Sequence, residues 1–157
     1  YFVVGHFHYV MFGGGGFALF AAMHHWLPKF TGRMYQHKPA VVAWALLFVG
    51  FNITYFAMQA VGVQGMPRRY YDYLPELQTL NLVSTLGSWV MAVGLMMMFI
   101  NLFFGCRAGE KVGRNPWGGA TLEWDIPSPP PMENFGVDDP IVNKGPYDFK
   151  GVAADEY

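Results

Sequence analysis

Three stretches of this chain contain no Asp, Glu, Lys or Arg: Tyr1 to Pro28, Ala40 to Met66 and Leu77 to Cys106. Each is longer than the roughly 20 apolar residues that cross a bilayer core about 30 Å thick. The pattern predicts membrane helices over about 2–27, 41–62 and 80–104, with Pro28 closing the first. After Arg107 the sequence turns polar and rich in Gly and Pro. The expected organisation is therefore a membrane domain over residues 1–106 and an irregular tail over residues 107–157. The fold class is all-α transmembrane. The tail holds Pro127-Ser128-Pro129-Pro130-Pro131, which reads as extended polyproline II. Trp117, Trp124 and Phe135 are its expected anchors onto a neighbouring surface.

Composition agrees with this division: 53% of residues are hydrophobic, 18% aromatic and 13% charged. Soluble domains carry about 25% charged residues. The net charge is −1 and no basic stripe is present, so no nucleic-acid partner is expected. The single Cys106 forms no internal disulfide. The chain opens in helical character at Tyr1-Phe2-Val3-Val4, with no initiator Met and no charged leader segment. It reads as a fragment, or as one part of a split or processed subunit. Lys29, Arg33, Lys38, Arg107, Lys111 and Arg114 fall on one side of the predicted topology, and only Arg68 and Arg69 on the other. The positive-inside rule then puts the tail inside, and the Arg pair and first residues outside.

Candidate chemistry centres on His6 and His8, because ionisable side chains in a membrane segment are costly and therefore functional by default. Helical geometry turns them to opposite faces. A single metal ion prefers i,i+3 or i,i+4 spacing, where two side chains share a face. Opposed histidines suit two separate sites, and large flat cofactors with axial imidazole ligands fit that description. Phe7 would then sit between the sites. The alternative is a pair of neutral histidines bonded to neighbouring helices.

His24 and His25 lie roughly 25 Å further along the helix and cannot share a site with His6 or His8. Beside Trp26 they read as interfacial anchors, and His37 as solvated. Arg68 and Arg69 follow Pro67 and suit bidentate bonding to carboxylates or phosphates. Cofactor carboxylates, lipid phosphates and protein acids all qualify, and Asp72 is near enough to be an internal partner. Gly13 to Gly16 suggest close helix packing, with room for a bulky cofactor as the alternative. Met96, Met97 and Met98 read as packing residues. Asn52, Thr54 and Gln59 form a polar stripe suited to interhelical bonding or a water path.

At His6 the sequence becomes recognisable. Tyr1-Phe2-Val3-Val4-Gly5-His6-Phe7-His8-Tyr9-Val10 resembles the tenth membrane helix of heme-copper oxygen reductase subunit I, of the cytochrome c oxidase kind. The resemblance continues at His25-Trp26-Leu27-Pro28, at Gly65-Met66-Pro67-Arg68-Arg69-Tyr70 and at Asp72-Tyr73. It returns in the tail at Thr121-Leu122-Glu123-Trp124, Ser128-Pro129-Pro130-Pro131 and Asn134-Phe135. It covers about residues 1 to 135, and its tail wording is similar to bacterial rather than mitochondrial members.

The resemblance implies helices ten to twelve of a twelve-helix bundle. It implies that His6 is the proximal ligand of a high-spin, oxygen-binding heme and His8 an axial ligand of a low-spin heme. Both would be of the heme a type, with Arg68 and Arg69 bonding their propionates. Ligands for copper, the second ligand of the low-spin heme and a magnesium-binding His-Asp pair would lie on earlier segments. The family usually has Pro and His where this chain has Ala57 and Gln59. The implied partners are the remainder of subunit I, subunits II and III, cytochrome c, oxygen and the lipid bilayer. The implied setting is the bacterial inner membrane with a cytoplasmic C-terminus, or else the mitochondrial inner membrane. The competing expectations are a quinol-oxidising relative, and a non-redox membrane module using His6 and His8 for zinc or for structure.

Overall fold

The computed structural model describes residues 1–135, 140–143, 145–152 and 154. Among them, three helices are long and apolar enough to cross a membrane: Phe2–Thr31, His37–Val63 and Pro75–Ala108. No strand is present among the described residues beyond an isolated bridge between Arg33 and Lys111. The first helix is composite. It comprises α1 (Phe2–His8), a π-helical run over Tyr9–Gly16, and α2 (Phe17–Thr31). The second is α3 (His37–Val63). The third is a short 3-10 turn over Pro75–Leu77 that leads into α4 (Gln78–Ala108).

Pro28 does not close the first helix, which runs on to Thr31. Proline costs a helix one amide donor. The last turn is secured by other means. Thr31 Oγ1 donates to the Leu27 carbonyl at 2.8 Å, and the Gly32 amide donates to Pro28 O at 2.8 Å. Gly32 has φ +67°, the left-handed conformation that ends helices and that glycine adopts without penalty.

The described chain forms two compact units, one of Tyr1–Ala21 with His37–Asn101 and the other of Ala22–Gln36 with Leu102–Tyr157. In the first, α3 and α4 meet along a seam of small residues. On α3 the buried positions Ala43, Leu47, Gly50, Thr54, Ala57 and Val61 repeat at alternating spacings of four and three. On α4, Ser84, Gly87, Gly94 and Met98 fall on the same heptad. This is the period of a left-handed helix pair. In lipid, where apolar tails compete equally for Leu, close packing of small residues is what joins helices. A Cβ on Gly87 would lie 2.7 Å from the Thr54 amide nitrogen, and one on Gly94 2.7 Å from that of Leu47. Ser84 Oγ donates to Thr54 O across the seam at 3.1 Å, and Thr54 Oγ1 donates to Gly50 O at 2.7 Å.

In the second unit, Lys29 is 3% exposed. Its ammonium donates to the carbonyls of Arg114 and Ile126 and stands 5.6 Å from the Trp124 ring centroid. The side chain counted above as a basic marker of sidedness is thus a buried fastener for the tail. Arg33 donates to Gly109 O at 2.8 Å and Trp117 Nε1 to His25 O at 2.9 Å. Val112, Trp124 and Ile126 are buried with them.

Candidate functional site

Glycine sets the position of the two histidines. Gly5 is buried against α3, where a Cβ would lie 2.7 Å from Gln59 Cγ and 2.8 Å from the Tyr55 carbonyl oxygen. Only a residue without a side chain lets α1 approach this closely. The residues just after Gly5 are therefore held at fixed height against α3.

His8 turns toward α3. Its ring stacks on Tyr55 with centroids 4.4 Å apart and planes 12° from parallel. Phe7 also stacks with His8, at 4.4 Å and 26°. His8 Nδ1 lies 2.8 Å from the Val4 carbonyl oxygen. A carbonyl can only accept, so the Nδ1 position holds the proton. In the neutral ring, Nε2 then presents its lone pair outward. An imidazole with one nitrogen donating to a carbonyl and the other free as a base is the usual arrangement of a metal-ligating histidine.

His6 is exposed and faces away from this contact, with its ring aligned on Phe2 at 6.3 Å and 7°. The two histidines are thus not brought together. Among the described residues, no group of three or more His, Cys, Asp or Glu side chains could hold a metal ion. The donor set suits cofactors that take a single axial imidazole from this chain at each of two places. It does not supply a self-contained zinc site.

The polar stripe on α3 bonds partly between helices and partly back onto its own backbone. Tyr9 donates its hydroxyl proton to Asn52 Oδ1 at 2.9 Å, and Asn52 Nδ2 donates to Phe48 O at 2.8 Å. Gly13 meets the Phe51 ring, whereas Gly14 and Gly15 have nothing within 4 Å of where a Cβ would be. Close packing therefore accounts for only part of the glycine run.

Arg68 and Arg69 are both exposed on the loop after α3. The loop is anchored by a small core of Val61, Met66 and Leu77, packed by Tyr73 and Leu80. Asn81 Nδ2 donates to Leu77 O at 2.9 Å and reaches the Met66 sulfur at 3.5 Å. Asp72 accepts the Tyr73 amide at 2.8 Å. Arg69 has φ +64°, a left-handed backbone on a bulky residue. Such conformations cost about 1–3 kcal/mol and cluster at ligand clamps.

Sequence reading missed Gly5 and Tyr55. The signal for Tyr55 was present as the i, i+4, i+8 row Phe51, Tyr55 and Gln59 on one face of α3, but nothing in the row marks it as facing a histidine.

Comparison with known proteins bears directly on this arrangement. The family model described as cytochrome c and quinol oxidase polypeptide I matches residues 1–90. A cytochrome c oxidase subunit 1 of Synechocystis sp. is 48% identical over 149 residues, covering 95% of this chain and 27% of that protein. Its counterpart in Bacillus subtilis is 45% identical over 138 residues, covering 86% of this chain and 22% of that protein. The chain spans about a quarter of the length of these relatives. With the family model matching residues 1–90, more than half of the chain, the chain belongs to the cytochrome c and quinol oxidase polypeptide I family.

Proposed function

We propose that this chain is the C-terminal portion of the catalytic subunit of a bacterial cytochrome c oxidase, which reduces oxygen to water and couples that reaction to proton pumping. Its part is to supply one axial imidazole to each of two hemes and to hold their propionates. The observation that carries the proposal is the 2.8 Å contact of His8 Nδ1 with Val4 O, which puts the proton on Nδ1 and leaves Nε2 as the ligating nitrogen. His6, exposed on another face of the same helix, offers a second and separate ligand. When bound, heme supplies one-electron transfer and, at the high-spin site, oxygen binding.

The residues of this chain do the rest of the work assigned to it. Gly5 fixes the distance of the histidine-bearing turn from α3. Phe7 lies between two ligands in sequence and stacks with one of them. Arg68 and Arg69 place two positive charges on a loop held by the Val61, Met66 and Leu77 core. Guanidinium forks suit the two carboxylates of a heme. Copper and magnesium, with subunits II and III, would engage the portions of the protein preceding this chain or around it.

The relatives cited are named as cytochrome c oxidases, which supports cytochrome c over quinol as the donor. Lys38, Arg107, Lys111 and Arg114 outnumber the Arg68 and Arg69 pair across the predicted topology, which supports a cytoplasmic C-terminus.

The test is a pair of substitutions in the complete enzyme. His8→Ala removes the low-spin heme signal and slows electron entry. His6→Ala disturbs carbon monoxide binding at the high-spin heme. Identical spectral effects from both substitutions would sink the two-site assignment.

A further inference from the structure

We propose that Tyr55 is a positioning residue for His8, its phenol ring setting the plane in which the ligating imidazole is held. This rests on the reading of His8 as an axial ligand.

A histidine held by one hydrogen bond can still rock about that bond. The Val4 carbonyl engages Nδ1 and so selects the tautomer. As one contact with tolerance in angle, it restrains the rotation of the ring only loosely. A second flat group in near-parallel contact tightens that restraint. Tyr55 meets His8 at 4.4 Å and 12°, the most nearly parallel of the two ring contacts His8 makes.

Tyr55 is itself hard to move. It is 8% exposed. Its backbone carbonyl abuts Gly5, so its own turn of α3 is pressed against α1. One turn earlier, Phe51 meets the Tyr55 ring at 5.0 Å and 60°. Phe51 in turn meets Tyr9 at 4.8 Å and stacks on Phe12 at 5.9 Å. The row of rings from Phe12 to Tyr55 thus forms a brace that ends on the imidazole. Aromatic pairs of this kind prefer particular ring geometries beyond the effect of buried area alone, and so bias the ring toward one orientation.

The orientation of an axial imidazole governs how its π orbitals overlap the iron d orbitals. It is therefore read in the electron paramagnetic resonance g values of an oxidised low-spin heme, a quantity that loss of general stability does not move. The experiment compares Tyr55→Phe, Tyr55→Leu and Tyr55→Met in the fully assembled oxidase, with heme content measured in each. Tyr55→Phe keeps the ring and leaves the low-spin g values at their wild-type positions. Tyr55→Leu removes the ring and shifts them while both hemes are retained.

Tyr55→Met likewise removes the stacking face and shifts them too, so it decides the matter if Tyr55→Leu does not assemble. Wild-type g values in whichever of the two ring-changing variants assembles overturn the proposal. So does a shift in Tyr55→Phe as large as in the others, which would assign the effect to the hydroxyl. His8→Ala separates the two levels of inference. If it retains the low-spin signal, the ligand assignment has failed. If it loses that signal while the ring-changing Tyr55 variants leave it unmoved, only the positioning role has failed.

Discussion

Gly5 and Gln59 touch backbone to side chain: a Cβ on Gly5 would lie 2.7 Å from Gln59 Cγ, with the Tyr55 carbonyl oxygen at 2.8 Å behind it. The side chain of Gln59 can swing aside, but the carbonyl cannot. Gly5→Leu must therefore push α1 away from α3. Overpacking of this kind costs typically about 1–3 kcal/mol. Since His6 and His8 sit on the turn that moves, heme content should fall with stability. A Gly5→Leu enzyme with full heme content and an unchanged melting temperature would show that this contact does not set the position of His6 and His8.

Arg68→Gln and Arg69→Gln should each lower the midpoint potential of the low-spin heme. Each removes a positive charge, and adding an electron is then less favoured. Charge-assisted bonds are worth about 1.5–3 kcal/mol net, so the shift is on the order of tens of millivolts. Arg69 carries the additional left-handed backbone. Potentiometric titration of the two variants is the check, and unchanged potentials in both would remove the propionate assignment.

Lys29→Met should loosen the tail. The methionine fills the volume but donates nothing to the carbonyls of Arg114 and Ile126. A buried carbonyl left unpaired costs about 1–3 kcal/mol. Limited proteolysis should cut the segment between Arg107 and Ile126 faster than in the parent protein. Equal cleavage rates would mean that Arg33 and Trp117 suffice to hold it.

Expressed alone in a membrane, these 157 residues should not reduce oxygen. A six-coordinate low-spin heme needs two axial ligands, and the proposed function gives it only His8 from this chain. Among the described residues no three His, Cys, Asp or Glu side chains converge to hold copper. His6 and Gln59 would also face lipid without their full set of partners. Heme content and cytochrome c-driven oxygen uptake, measured with and without the upstream portion of the subunit, are the check. Cyanide-sensitive uptake by the chain alone would show that the catalytic site has been misread.

Three uncharged stretches were enough to place three long helices, because a bilayer imposes length and apolarity with little regard to detail. Local backbone chemistry was harder to read. Pro28 has the form of a terminator, yet Thr31 and Gly32 supply the bonds that let the helix run past it. Lys29 reads as a surface charge until the carbonyls that bury it are known, and those come from residues far along the chain. His6 and His8 stood out as candidates because histidine is rare and costly in a membrane helix. Tyr55 was not, because α3 holds several aromatic residues and only the fold decides which one meets His8. Gly5 was equally silent: its role is defined by the atoms it leaves room for.

The π-helical run over Tyr9–Gly16 gives the first helix a tolerance for changes in length that its neighbours lack. Each of its hydrogen-bonded rings encloses one residue more than an α-helical ring. Deleting a single residue there can be absorbed by drawing a ring back to α geometry, with Phe2–His8 and Phe17–Thr31 both keeping their faces. The same deletion within α3 would rotate everything beyond it by about 100°. Gly50 and Thr54 would then leave the seam that the closely approaching backbones of Gly87 and Met91 require. Insertions and deletions between related helices should therefore collect in the glycine-rich stretch just after His8, where the turn carrying His6 and His8 does not register them.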